Sequence, residues 1–205
     1  MQSRWQTTQT GWILVLLLVL LASTTLLPAA TWAQQGDPAT SCDTLYQEGV
    51  AYYEQARYDA AEQALQAARN CYQQAGNHQG EAITLNSLGV VADNQGKYAE
   101  AETYYQQSLV LLRELGHRQG EAITLMNLGV VASNQGKYAE AKAYYQQCLP
   151  LFRELGDRKG EANTLTNLAV VAVEQGTYAE AEGYYQQSLS LFRELGDRKG
   201  EATTL

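Results

Sequence analysis

Histidine is almost missing from this chain. His78 and His117 are the only two in 205 residues; both lie in short connections, and neither stands at catalytic spacing from a serine, cysteine or carboxylate. There is also no metal-ligand pair, no phosphate-cradling glycine loop and no nucleophile elbow, so the pattern calls for no metal, no cofactor and no intrinsic catalysis. Positive charge is short as well: 14 Lys and Arg against 22 Asp and Glu give a net charge of -8, which grows more negative if Arg4 leaves with an N-terminal segment. Phosphate backbones are repelled by such a chain, and nucleic acid is not an expected partner. The same acidity also suits a solvated surface that keeps the protein soluble. Proline is scarce, with three in all. Pro150 falls inside a helical pattern, where Val110 and Ser190 occupy the matching places, and a local bend is expected from the lost bond to the Gln146 carbonyl.

The chain opens with a polar start carrying Arg4, an apolar run from Trp12 to Leu27, and then PAATWAQQ. This predicts a secretory signal over 1–33, with Thr31 and Ala33 as the small residues before the cut. The run is short for a span of ~20 residues. Cleavage predicts an exported protein, periplasmic or extracellular; an uncleaved segment would instead be a membrane anchor, the only route here to a membrane partner. Cys42 lies too far beyond the run for a lipoprotein, and 34–40 reads as a linker.

A forty-residue block then recurs, GEAITLNSLGVVADNQGKYAEAETYYQQSLVLLRELGHRQ from Gly80 and near copies from Gly120 and Gly160. A unit this short cannot bury its apolar face alone, so successive copies must stack into a solenoid that presents an extended surface. Within the first block, Ala82, Leu85, Leu88, Gly89 and Ala92 recur at the spacing of one helix face from Glu81, and Gly96 ends that helix. A second helix from Tyr98 to Leu115 turns Tyr98, Ala101, Tyr105, Ser108, Leu109 and Leu112 inward, and Gly116 closes it. Asp157 and Asp197 can cap the helix that follows each connection, a rule that His117 breaks. Gly89, Gly129 and Ala169 face Tyr105, Tyr145 and Tyr185, as if a ring fills the space of a missing side chain.

Shifted by forty, Leu45, Gly49, Tyr52, Tyr58, Ala61 and Leu65 fit the same columns. The units are therefore 41–79, 80–119, 120–159 and 160–199, with 200–205 starting a fifth. Glu48 stands in the Leu88 column and Arg69 in the Leu109 column, which predicts a polar outer face and a capping role for the first unit.

The columns Leu85, Leu88, Gly89, Tyr98, Ala101, Tyr105 and Ser108, with the strings NLG, NQGKYAEAE and YYQQSL, resemble the tetratricopeptide repeat family in its forty-residue form, found in kinesin light chains and many bacterial proteins. The resemblance implies an all-α, right-handed α-solenoid of antiparallel helix pairs. The first helix of each pair, the A helix, would line a concave groove. Family members that hold a terminal carboxylate use paired Lys, Arg and Asn, a set this chain lacks, since Met126, Val90 and Val130 fall where polar clamps are needed.

Differences between the copies fall mainly on the A-helix face away from the seam: Ile83/Ile123/Asn163, Asn86/Met126/Thr166, Ser87/Asn127/Asn167, Asp93/Ser133/Val173 and Asn94/Asn134/Glu174. Shared seams with a varied groove would produce this, and so would drift at exposed sites. Asn127 and Asn167 occupy a column where similar repeats clamp a ligand backbone, because a primary amide both donates and accepts. Asn94 and Asn134 could assist, or could bond to their own backbone.

Cys42 and Cys71 fall at one end of the first hairpin and are disulfide candidates, with two buried thiols as the other reading. Cys148 replaces a serine and reads as a buried filler. The expectation is an exported scaffold that binds a protein or extended peptide. A longer protein with a downstream caspase-like protease domain, or self-association through an uncapped C-terminal end, are the rivals.

Overall fold

The computed structural model describes residues 38–204, so the expected signal at 1–33, most of the linker and Leu205 lie outside the described residues. These residues form α1 (Pro38–Glu54), α2 (Tyr58–Gln74), α3 (His78–Asn94), α4 (Tyr98–Glu114), α5 (Arg118–Asn134), α6 (Tyr138–Leu155), α7 (Arg158–Glu174), α8 (Tyr178–Leu195) and the short α9 (Arg198–Thr204). No strand occurs among them. Each A helix (α1, α3, α5, α7) packs on its own B helix, each B helix packs on the next A helix, and consecutive A helices touch. The result is a right-handed solenoid of antiparallel pairs with a continuous row of A helices along one side. Helix α1 starts at Pro38, three residues before the expected unit boundary, which suits proline at a first helical position.

The chain reverses every twenty residues, at positions with positive φ from Gly76 to Gly196, and Ala56 takes the same conformation at φ 57°. At the end of α3 the left-handed Gly96 (φ 73°) lets its own amide bond Asp93 O and the Lys97 amide bond Ala92 O. Carbonyls left open by the last turn are thereby satisfied.

At the other ends, Asn77 and Asp157 accept from the Gly80 and Gly160 amides at 2.9 and 2.8 Å. His117 does not break this rule. Its Nδ1 accepts from the Gly120 amide at 3.0 Å, because an unprotonated ring nitrogen can replace a carboxylate oxygen there. The A helices also start about one turn earlier than Glu81 and its counterparts, at His78, Arg118 and Arg158.

Inside each pair the seam is a ring against a bare backbone. A Cβ added at Gly89 or Gly129 would lie 2.5 or 2.4 Å from the Tyr105 or Tyr145 ring, both buried to 1% exposure. In the fourth unit Ala169 supplies that methyl, and Tyr185 is only half-buried. Cys148, free and fully buried, sits where Ser108 and Ser188 bond the Ala82 and Ala162 carbonyls, and burial pushes its thiol up to about 11. Helix α6 runs through the exposed Pro150 to Leu155, and the carbonyl that loses its partner belongs to the exposed Gln146, where water can reach it.

Units are also stitched by charge. The nearly buried Glu121 accepts from Arg113 Nε at 2.9 Å and Arg118 Nη1 at 3.1 Å, and Arg118 reaches on to Glu154 at 3.2 Å. Arg153, Arg158, Glu161 and Glu194 repeat the arrangement one unit later. Arg69 belongs to this inter-unit seam and not to an outer face: its Nη2 donates to Gln107 at 3.1 Å, because its long side chain lies toward the second unit where Leu109 lies toward the third. Glu48 is exposed, as expected.

Candidate functional site

The inward columns of α1, α3, α5 and α7 are taken up by their seams, which leaves the varied columns on the open side of the A-helix row. None of the varied side chains is buried. Ile83, Asn94, Asn134, Val173 and Glu174 are exposed, while Asn86, Ser87, Asp93, Ile123, Met126, Asn127, Ser133, Asn163, Thr166 and Asn167 are half-buried.

Two rows of side-chain bonds run along this surface, each joining residues 41 apart. In one, the Tyr46 and Ser87 hydroxyls pair at 3.2 Å and Asn127 Nδ2 donates to Asn86 Oδ1 at 3.2 Å. In the other, Asn94 Nδ2 donates to the Tyr53 hydroxyl at 3.3 Å and Asn134 Nδ2 to Asp93 Oδ1 at 3.3 Å. Asn94 also bonds its own backbone, at Val90 O, at 2.8 Å.

Both rows link the first three units, and neither continues to the fourth. Thr166 turns its hydroxyl to Ser188 at 2.7 Å, Met126 Sδ accepts weakly from Thr164, and Glu174 accepts from the Tyr138 hydroxyl at 3.0 Å. The amides of Asn163 and Asn167 bond no other side chain among the described residues, and both stay half-exposed, so their donors and acceptors are not spent on other side chains. Asn163 also borders a cavity of about 260 Å³ with Lys159, Phe192, Lys199 and Thr203.

The first unit adds residues of its own to this surface. Tyr46, Val50 and Tyr53 of α1, with Ser87 and Val90 of α3 and Leu65 at the base, enclose a pocket of about 210 Å³. The forty-residue shift contains the signal, since Tyr46 falls in the Asn86 column and Tyr53 in the Asp93 column.

Electrostatically the columns of this surface are one-sided, although Lys159 and Lys199 border it beside Asn163. Its six columns, starting at Asp43, Tyr46, Gln47, Val50, Tyr53 and Glu54, hold no Lys, Arg or His in any unit, but they do hold Asp43, Glu54, Asp93 and Glu174. Asp43 is engaged by the Tyr72 hydroxyl. Burial raises the Asp93 carboxyl above its usual range, although the Asn134 bond pulls the other way. Behind this surface, a disulfide joins Cys42 to Cys71 with the Cα atoms 5.4 Å apart.

The family model described as a tetratricopeptide repeat matches residues 40–114 and 120–194. Among solved structures the chain is similar to BtubC (BKLC) from P. vanneervenii at 20% identity and TM-score 0.74, covering 80% of this chain and 68% of that one. It is also similar to the Rap conjugation gene regulator of the plasmid pLS20 in complex with the Phr* peptide, at 21% identity and TM-score 0.72 over 83% of this chain and 47% of that one. A Rap protein complexed with Competence and Sporulation Factor matches at 16% identity and TM-score 0.76, over 82% and 47%. No curated protein matches.

Proposed function

The chain belongs to the tetratricopeptide repeat family, and from that premise we propose that it is an exported, non-catalytic scaffold holding an extended peptide or protein segment along its A-helix row. The observation that carries this reading is the split between fixed and varied columns. Seam residues are buried and repeated, whereas the varied side chains stay accessible and present amides that match the donor and acceptor of a peptide unit. The two Rap structures, each solved with a bound partner, support a protein or peptide ligand for this fold. The Cys42–Cys71 bond supports export, because disulfides persist in oxidising compartments.

Asn163 and Asn167 give the cleanest test, since neither amide supports the solenoid. A pull-down from the extracytoplasmic fraction identifies a ligand; titration with the Asn163→Ala, Asn167→Ala double variant should then weaken it about tenfold, as for one or two lost hydrogen bonds, with a melting temperature no lower than the wild type's, since Ala is the better helix former. Equal affinity in the double variant removes these residues from the site. For export, N-terminal sequencing of the mature protein should begin at Gln34, and retention of the whole chain in the cytoplasm would refute that half of the reading.

A further inference from the structure

We propose that the pocket between α1 and α3, with Asp93 one helical turn away, reads two side chains of an extended peptide: a large apolar residue, and a Lys or Arg two positions from it. This deepens the groove reading above and rests on it.

The pocket has room for one such side chain. Its volume is about 210 Å³, and a cavity of roughly 150 Å³ already admits benzene. Val50, Val90 and Leu65 supply apolar walls, while the two tyrosine rings are pinned through their hydroxyls to Ser87 and Asn94. A pocket held open in this way is organised before the ligand arrives, which lowers the cost of binding.

Asp93 supplies the second contact. It is half-buried, its one side-chain partner is the amide of Asn134, and it makes no ion pair among the described residues. A carboxylate can accept about four hydrogen bonds, so capacity remains for an incoming ammonium or guanidinium. No basic side chain of the A-helix groove columns competes for it, and the net charge of -8 favours a cationic segment over an anionic one.

Spacing links the two contacts. Val90 and Asp93 are three apart on one helix, so their Cβ atoms lie about 5–6 Å apart. Alternate side chains of an extended peptide share one face and repeat at about 6–7 Å, so an apolar and a basic residue two positions apart match the pair.

The test is selection from a displayed random-peptide library on the purified chain, followed by fluorescence polarisation with a labelled Gly-Ser-Leu-Ser-Arg-Ser-Gly peptide. Selected peptides should share the apolar and basic pair, and exchanging Arg for Gln in the probe should weaken binding about tenfold, as for one charge-assisted bond. Asp93→Asn should erase that difference. Val90→Phe, or Ser87→Leu should Val90→Phe fail to fold, fills the pocket and should lower the affinity for the leucine probe by a similar factor with helicity retained. Peptides that bind without the pair, or an Arg preference that survives Asp93→Asn, overturn this inference and leave the groove reading standing. A library that yields no binder sinks both, and a dimer that Val90→Phe returns to monomer assigns the pocket to a second copy of the chain.

Discussion

Asp93 shows at the scale of one residue what a binding surface costs the fold. Its folded carboxyl holds a proton more tightly than the unfolded chain does, because burial disfavours the charged form. The sign follows by linkage: its contribution to stability is greatest at low pH and is lost as the pH rises from the unfolded value through the raised folded one. At neutral pH the ionised group is therefore a burden. Asp93→Asn should raise the melting temperature at neutral pH, and the gain should shrink toward zero as the pH falls below the ordinary carboxylate range, where the wild type is protonated. A melting temperature equal to or below that of the wild type at neutral pH would show that Asp93 is not desolvated in solution. The same substitution is expected to impair recognition of a basic side chain, so stability and binding should move in opposite directions. His117 is a further lesson at this scale, since its capping role depends on which ring nitrogen is unprotonated, and the residue letter does not encode that.

Helices and their turns explain what the sequence disclosed and what it hid. The three-and-four spacing of Leu85, Leu88 and Ala92 and the glycines at twenty-residue intervals specify hairpins, because each depends on contacts inside one unit. The bonds Asn86–Asn127 and Asp93–Asn134 were not legible, since they depend on how far each unit rotates on the one before, and no single column records that rotation. Tyr46 and Tyr53 were hidden by the divergence of their unit. That divergence also left Ala56 in a left-handed turn that the later copies assign to glycine. Ala56→Gly relieves the Cβ contact but frees the unfolded chain, so a net gain of about 0.5–1 kcal/mol is expected in urea unfolding. At the seam the sign reverses. Gly129→Ala improves helix propensity by about 1 kcal/mol, but it drives a methyl to 2.4 Å from the buried Tyr145 ring, and overpacking of this kind costs about 1–3 kcal/mol. A net loss of about 1 kcal/mol should follow. A stabilised variant would mean that the ring can swing out, as the half-buried Tyr185 beside Ala169 suggests for the fourth unit.

For the whole molecule, a solenoid is only as secure as its end units, since an inner unit is held on two sides and an end unit on one. Helices α1 and α2 form such an end among the described residues, and they also furnish Tyr46, Val50, Tyr53 and Leu65 of the pocket. The Cys42–Cys71 bond and the Tyr72–Asp43 hydrogen bond both fasten the end of that hairpin where α1 begins and α2 finishes. A sequence separation of 29 residues implies a stabilisation of about 3–4 kcal/mol on the loop-entropy argument. Because coupling in a repeat protein is mainly between neighbours, loss of the bond should not lower stability evenly. In a Cys42→Ser, Cys71→Ser variant, amide exchange should speed up across α1 and α2 while α5 to α7, stitched through Glu121 and Glu161, keep their protection. The pocket should lose its ligand in the same range of urea in which α1 frays, leaving the amides of the fourth unit competent. Uniform loss of protection from α1 to α8 would show instead that the solenoid opens as one cooperative body, and that the disulfide guards the entire groove and not its first subsite alone.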